Sequence, residues 1–260
     1  MSWAVYAVAF RSSARRTVQA PGQLVIRVLF YGVILGVLSA LWKVACVVNG
    51  GTIAGYDFRS MLWYLVASEG AVIAINPRLI EYIGVDIGSG GIAIEMLRPI
   101  SVVGLRIATA LGEALVRFGF AVSLGVAFAW FTVGPPPDLA AVGLALPAAI
   151  LAIGANLAAQ HSFAAIAFWV NDSKAAWFLY QKLVFLVGGM LLPLELFPPL
   201  LAHISRFLPF WTMSYVPARL LSGHFEPWLL LVQAAWLVAL MAGAAVVFGI
   251  GQRKLEAVGG

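Results

Sequence analysis

Six long apolar stretches make up most of this chain and constrain its fold more than any other feature. They cover residues 24–48, 60–77, 103–133, 139–170, 175–194 and 227–251. Crossing a bilayer core takes about 20 mainly apolar residues, and the core offers no partners for free backbone groups. The runs are too long and continuous for barrel strands. The sequence therefore predicts an all-α polytopic membrane protein with six transmembrane helices in a single domain, residues 1–260.

Composition excludes a soluble protein. Hydrophobic residues make up 62% of the chain and charged residues only 10%, against about 25% charged residues in soluble globular proteins. A surface in water could not be covered with so few polar groups. The spans and their short connections use nearly all 260 residues, so no soluble domain is left over.

The basic residues predict the orientation of the spans. With the N-terminus in the cytosol, most Lys and Arg residues fall on the cytosolic side, as the positive-inside rule requires. Both termini are then cytosolic. The net charge of +5 is read as this topology signal, with basic loops on anionic lipid rather than on nucleic acid.

The N-terminal residues 1–22 precede the first span. Residues 3–19 mix apolar side chains such as Trp3 and Phe10 with Arg11, Arg15 and Arg16, which predicts an amphipathic helix on the cytosolic surface. Pro21 would end it. The first apolar run is too long for a signal peptide, and no small-residue cleavage site follows.

Residues 78–106 form an unusual cytosolic connection, RLIEYIGVDIGSGGIAIEMLRPISVVGLR. It is too long for a turn and too apolar for a linker. Gly88 and Gly90 permit sharp turns, and Pro99 stops any helix before the third span. Such a segment needs a surface to dock on, either its own bundle or, as we favour, a separate cytosolic protein. Its G-x-G-x-x-A spacing lacks the strand that a dinucleotide site requires.

Residues 194–227 form a second unusual connection, on the outer side. Five prolines interrupt this segment, whose many apolar and aromatic residues make it too hydrophobic for an exposed loop. It predicts short, broken re-entrant helices. Non-helical backbone at such depth is tolerated only against protein or a water-filled cavity.

Catalytic motifs are absent from the sequence. There is no P-loop, H-E-x-x-H or G-x-S-x-G. None of His161, His203 and His224 has a partner at metal-ligand spacing, and the single cysteine, Cys46, can form neither an intrachain disulfide nor a thiolate cluster. The sequence predicts no metal site and no cofactor bound by the chain.

Polar residues inside the predicted spans are the remaining candidates for function. They are Glu69, Glu113, Arg117, Asn156, Gln160 and His161. Glu113 and Arg117 have the favourable spacing and order for a helical ion pair. The set forms either a polar pathway open to the cytosol or structural bonds between helices.

Two stretches resemble the type-2 permeases of ABC transporters, in particular a short six-span subgroup. "GSGGIAIEMLRP", Gly88 to Pro99, is similar to the stretch after that family's second span. "LPLELFPPLLAHISRFLPFWTMSYVPARLLSG", Leu192 to Gly223, is similar to the stretch before its last span. The likeness covers nearly the whole chain in order and spacing.

The resemblance implies a transport subunit rather than an enzyme. A second permease, identical or paralogous, and separate ABC ATPase subunits carrying ATP and Mg would complete an exporter in a bacterial plasma membrane. The N-terminal helix would lie beside the ATPase. The coupling helix that docks on it would include Asp86, Ile87, Gly88, Ser89, Gly90, Ile94, Leu97, Arg98 and Pro99. Substrates in the broader family include drugs, lipids and polysaccharides.

Two alternatives remain at this stage. One is an intramembrane lipid-modifying enzyme in which Glu69 and His161 act as acid and base. The other is a membrane assembly subunit that transports nothing. ATP-dependent movement of a substrate would distinguish an exporter from both.

Overall fold

The computed structural model describes residues 2–170 and 173–259; the predicted domain, 1–260, extends slightly beyond them. The chain is almost entirely helical. The α-helices are α1 (Ser2–Gln19), α2 (Pro21–Val48), α3 (Phe58–Ile73), α4 (Leu79–Gly88), α5 (Ile92–Met96), α6 (Val102–Val133), α7 (Leu139–Ala164), α8 (Lys174–Val187), α9 (Pro199–Phe207), α10 (Trp211–Leu221) and α11 (Trp228–Gly259). Two short 3₁₀ turns, Ala165–Phe168 and Leu194–Leu196, and one antiparallel hairpin, β1 (Thr52–Ile53) with β2 (Tyr56–Asp57), complete the described chain.

Four helices of the described chain are long and apolar enough to cross a membrane. They are α2, α6, α7 with its 3₁₀ turn, and α11 as far as Lys254. Helices also occupy the other two predicted stretches, but α3 has 16 residues and α8 has 14, fewer than the roughly 20 of a full span. The fold is thus an all-α, multi-pass membrane bundle, as predicted.

Helix α3 lies at the centre of the bundle. Residues Met61–Ala71 are buried without interruption, because α3 packs against α2, α6, α7 and α10. A helix that is apolar all round must be enclosed by protein or lipid. The Tyr31 hydroxyl donates a hydrogen bond to the Val66 carbonyl oxygen at 2.9 Å, which fixes α2 against α3.

Polar side chains define where three helices begin. Asp57 accepts from the Ser60 amide at 2.8 Å, Ser101 from the Gly104 amide at 3.1 Å, and Asp138 from the Ala140 amide at 2.8 Å. Each residue satisfies an amide that the first helical turn leaves without a partner. These N-caps set the starts of α3, α6 and α7.

Helix α1 runs alongside α6 in the same direction. The Tyr6 hydroxyl accepts a hydrogen bond from the Ser101 amide at 3.1 Å, and Ser13 Oγ donates to the Thr109 carbonyl at 2.8 Å. At Gly112 the two backbones are so close that an added Cβ would lie 2.3 Å from the Phe10 carbonyl oxygen. The sequence did not predict this lengthwise contact.

The two ends of α3 define the two ends of the bundle. Its last residues lead into α4 and residues 78–106, hereafter the coupling segment, so that end is called the coupling end. Its first residues follow the β-hairpin, and Tyr56 of that hairpin contacts Arg219 near the end of α10 at 2.8 Å. We call this the opposite end.

Candidate functional site: the coupling segment and the cavity beneath it

The coupling segment has one buried face and one exposed face. Ile80, Ile83 and Ile87 of α4 are almost inaccessible, since α4 packs against α7, its 3₁₀ turn and α8. Gly84 permits this contact, because a Cβ there would lie 2.2 Å from Ser173 Oγ. The segment is therefore fixed on the bundle through its apolar face.

The exposed face of the coupling segment carries most of the predicted coupling residues. Ile94 is 69% exposed and Leu97 is 85% exposed, so this face has a large apolar area. The other exposed members of the predicted set are Asp86, Gly88, Ser89, Gly90, Arg98 and Pro99. Ile87 differs from them, since it is 3% exposed and lies in the core. Gly90 has a φ of 75°, which favours glycine and turns the chain from α4 into α5.

Arg106 connects the coupling segment to α6. Its guanidinium lies 2.7 Å from Glu95 Oε2 and 3.0 Å from Asp86 Oδ2. Only 14% of the Arg106 side chain is exposed. One side chain near the start of α6 therefore holds both short helices of the segment by charge-assisted hydrogen bonds.

A cavity of about 410 Å³ lies directly beneath the coupling segment, and we call it the inner cavity. Its wall includes three of the predicted polar residues, Glu113, Arg117 and His161, together with the ionic group Asp86, Glu95 and Arg106. The two sets were predicted separately, yet they share one wall. A displacement of the coupling segment would therefore change the shape of the cavity.

Within the inner cavity, Glu113 Oε2 and Arg117 Nη2 form an ion pair at 2.8 Å on one face of α6. His161 is fully buried, with Nδ1 positioned 2.7 Å from the Leu157 carbonyl oxygen. Among the described residues, His161 Nε2 has no hydrogen-bond partner. The wall also carries Leu79, Ile83 and Leu157, so it combines apolar and charged surface.

The other three predicted polar residues lie elsewhere. Asn156 Oδ1 accepts hydrogen bonds from Gln160 Nε2 at 2.8 Å and from the Tyr180 hydroxyl at 2.7 Å. Asn156, Gln160 and Tyr180 line a separate cavity of about 220 Å³, and Lys182 also forms part of its wall. Glu69 is 4% exposed on α3 and does not line the inner cavity with His161.

A polar cluster that the sequence analysis missed lies at the opposite end. Arg219 is 2.8 Å from Glu195 Oε1 and 2.8 Å from Glu226 Oε1, and it donates to the Tyr56 hydroxyl at 2.8 Å. The Tyr215 hydroxyl donates to Glu195 Oε1 at 2.6 Å. We call these five residues the Arg219 cluster. The signal in the sequence was four charged residues, Glu195, Arg206, Arg219 and Glu226, in the apolar segment 194–227.

The Arg219 cluster ties together parts of the chain that are distant in sequence. It joins the β-hairpin, the 3₁₀ turn before α9, the end of α10 and the start of α11. Burial raises the pKa of Tyr56 to about 12, with Glu195 as a further cause. The His224 ring stacks on Tyr56 at 5.0 Å; burial, followed by the charge of Arg219, lowers the pKa of His224.

Grouped metal-ligating side chains are not found in the described parts of the chain: no three of His, Cys, Asp and Glu come together. The charged side chains of Asp86, Glu95 and Arg106 join the partly exposed coupling segment to the internal cavity.

A comparison with protein families identifies the class more closely. The sequence model of the family described as "ABC-2 family transporter protein" matches residues 33–259. The chain belongs to this family, which confirms the resemblance drawn from its sequence. It is a multi-pass membrane permease of an ABC transporter, and the family implies that it works with ABC ATPase subunits. No curated protein matches the chain.

Proposed function

We propose that this permease is half of the membrane part of an ATP-driven exporter, paired with a second permease and two separate ATPase subunits. In this proposal the coupling segment faces the cytosol of a bacterial cell, and all six apolar stretches lie in the plasma membrane. The observation that carries the proposal is Arg106, which binds both helices of the coupling segment and lines the inner cavity.

The exposed face of α5 is the proposed contact with the ATPase. Leu97 and Ile94 project outward, whereas Ile87 and Ile92 anchor the segment on the bundle. Exposed apolar side chains on a rigidly held segment are typical of a surface that binds another protein. Closure of the ATPase dimer on ATP would push this face, and Arg106 would transmit the displacement to α6 and the inner cavity.

The inner cavity is the proposed point of entry for the substrate. Its volume of about 410 Å³ falls in the range of about 300–1,000 Å³ that small-molecule sites occupy. Its wall contains leucine and isoleucine side chains as well as guanidinium and carboxylate groups. Such a wall favours an amphipathic molecule, for example a lipid-like or drug-like compound or the lipid-linked end of a glycan.

The opposite end supports export. Residues 194–227, the proposed re-entrant region, cover that end, and the buried helix α10 packs against α3 and α7. The Arg219 cluster holds this cover onto the β-hairpin. A substrate loaded from the coupling end would therefore leave only after the region near Phe197–Tyr215 has moved.

The docking face is tested with Leu97→Asp in the assembled transporter. A charge in the centre of an apolar contact should abolish copurification of the ATPase and ATP-dependent transport, while Tm stays unchanged because Leu97 is exposed. The control is Leu139→Asp at the first residue of α7, which places the same charge on a residue that is 74% exposed at the opposite end and outside residues 194–227. Normal ATPase binding by Leu97→Asp would refute the proposed contact.

The role of the inner cavity is tested with Glu113→Gln. Loss of the carboxylate leaves Arg117 unpaired in the cavity, and we expect substrate-stimulated ATPase activity and transport to fall about tenfold. Glu81→Gln is the control, because the ion pair of Glu81 within the described residues is a long contact of 3.9 Å with an exposed Arg78. Full transport by Glu113→Gln would show that the Glu113–Arg117 ion pair has only a structural role.

The acid–base alternative gains no support from the geometry. Glu69 is absent from the cavity wall that includes His161, so the two residues do not face a common substrate space there. Reconstitution with the ATPase in vesicles would also separate a transporter from an assembly subunit, since only a transporter moves substrate when ATP is added.

A further inference from the structure

The Glu113–Arg117 pair lines a further polar cavity besides the inner cavity. It is about 220 Å³ in volume and opens between the end of α1, the start of α2 and α6. We call it the arginine cavity, and its polar lining consists of Arg16, Thr17, Gln23, Arg27, Glu113 and Arg117. It shares Glu113 and Arg117 with the inner cavity, whereas Arg16 and Arg27 have no role in the transport mechanism proposed above.

The charges of the arginine cavity are unbalanced. Three guanidinium groups meet one carboxylate on the wall formed by the described residues, and that carboxylate, Glu113, already pairs with Arg117 at 2.8 Å. Arg27 Nη1 donates to the carbonyl oxygens of Ile73 and Ile75 at 3.4 Å, which are neutral. A guanidinium carries five N–H donors, so Arg27 keeps donors for a further acceptor.

The backbone that carries the arginines is held in place before any ligand binds. Arg16 follows Ser13 by less than one helical turn, and Ser13 is fully buried with its hydroxyl bonded to Thr109 of α6 at 2.8 Å. The close approach of Phe10 and Gly112 fixes the same part of α1. Arg27 is directed by its bonds to the end of α3. Little backbone order would have to be gained on binding, and the exposed Arg16 side chain is the main group that would become ordered.

The depth of the cavity in the bundle limits what can occupy it. The hydrocarbon core takes about 20 helical residues, and 20 residues before the end of α6 at Val133 is Glu113. With the end of α6 at one membrane boundary, Glu113 lies at the other, where lipid headgroups are, and Arg117 lies about one helical turn inside it. The neighbouring side chain Ile26 is 69% exposed and apolar, as expected of lipid contact.

We propose that the arginine cavity binds the phosphate headgroup of an acidic phospholipid. Guanidinium groups match phosphate oxygens in pairs, and Arg is suited to a planar, bidentate contact of this kind. Headgroup oxygens would accept from Arg16 and Arg27, and the acyl chains would follow the apolar face of α2. The bound lipid would join α1 to the start of the first span.

The test is binding of short-chain lipids to the purified full-length protein in a neutral detergent. Dihexanoyl phosphatidic acid, dihexanoyl phosphatidylcholine and inorganic phosphate are each titrated, with the shift in Tm and the retained lipid in native mass spectrometry as readouts. Phosphatidic acid should raise Tm at the lowest concentration. Competition by millimolar inorganic phosphate would support recognition through the phosphate group.

Two single-arginine variants give a matched comparison. Arg16→Gln should weaken phosphatidic acid binding about tenfold, the effect of losing a charge-assisted contact. Arg15→Gln removes the same charge from the next residue of α1, which is outside the arginine cavity, and should change binding less than about twofold. Arg16→Lys keeps the charge but loses the bidentate geometry, so an intermediate loss is expected.

Several results would overturn the proposal. Equal shifts with phosphatidic acid and phosphatidylcholine would show that headgroup charge is not recognised. Equal effects of Arg15→Gln and Arg16→Gln would indicate a diffuse basic surface on α1. Because the readout is lipid binding without ATPase or transport, failure here would leave the proposed exporter function untouched.

Discussion

Arg106 binds Glu95 at 2.7 Å across the short connection between α5 and α6. The same guanidinium also reaches Asp86 at the end of α4, so three helices meet at one side chain. Neither partner was assigned to Arg106 from the sequence, where this arginine served only as a topology signal. The arrangement converts a surface segment into part of the wall of an internal cavity.

Arg106→Gln should uncouple the coupling segment from α6. Loss of two charge-assisted contacts to partly exposed carboxylates should cost about 1–2 kcal/mol, and transport should fall about tenfold while the ATPase still copurifies. Arg78→Gln is the control, because the Arg78 side chain is 68% exposed. Transport assays in vesicles with ATP measure the effect. Wild-type transport by Arg106→Gln would show that the contacts are only structural.

Arg219→Met should destabilise the opposite end. It leaves Glu195 and Glu226 without their cation in a partly buried site, which should cost about 2–3 kcal/mol and lower Tm by about 5–10 °C. The control is Arg206→Met. Arg206 and Arg219 both line a cavity of about 390 Å³ at the opposite end, but Arg206 is exposed. Thermal unfolding in detergent measures both variants. A Tm loss of equal size in both would contradict the importance of the cluster.

His224 should make stability depend on pH. Its pKa is lowered in the folded protein, first by burial and then by Arg219, although Glu195 and Glu226 oppose the shift. The unfolded chain therefore binds the proton more tightly, and stability is lost as pH falls below about 6.5 towards the folded pKa. His224→Asn should show a smaller Tm loss between pH 7.5 and pH 5.5. Parallel pH profiles of the two proteins would refute this.

Gly125→Ala should test the packing of α2 against α3. An added Cβ would lie 2.3 Å from the Tyr31 hydroxyl oxygen, and the buried hydrogen bond from Tyr31 to Val66 would be displaced. Overpacking of this kind costs about 1–3 kcal/mol. Gly119→Ala is the control, since Gly119 is also in α6 and a Cβ there meets no atom within 4 Å. Urea or thermal unfolding should destabilise only the first variant.

Local features of the candidate site could be predicted from the order of residues in the sequence. The spacing of Glu113 and Arg117 on one helix predicted their contact, because residues four apart share a helical face. Gly90 and Pro99 predicted the breaks around α5 for the same local reason. By contrast, the six polar candidates separate into two cavities and one isolated carboxylate, a division set by which helices pack together.

Long-range contacts were outside the reach of sequence patterns. The Arg219 cluster joins residues from position 56 to position 226, and the contact of α1 with α6 depends on Gly112 facing Phe10. Nothing in the local sequence specifies such pairs.

The sequence by itself determined that the chain is a helical membrane protein, because hydrocarbon excludes unpaired backbone and the apolar runs have the length of spans. Two of its stretches also carried the resemblance to ABC-2 permeases that the family match confirms. The sequence also located the two unusual connections. Only the tertiary structure decided that Arg106 joins the coupling segment to the inner cavity, that Ile87 anchors while Leu97 projects, and that Arg16, Arg27 and Arg117 converge. These depend on helix rotation and packing, which are set by contacts between residues far apart in the chain.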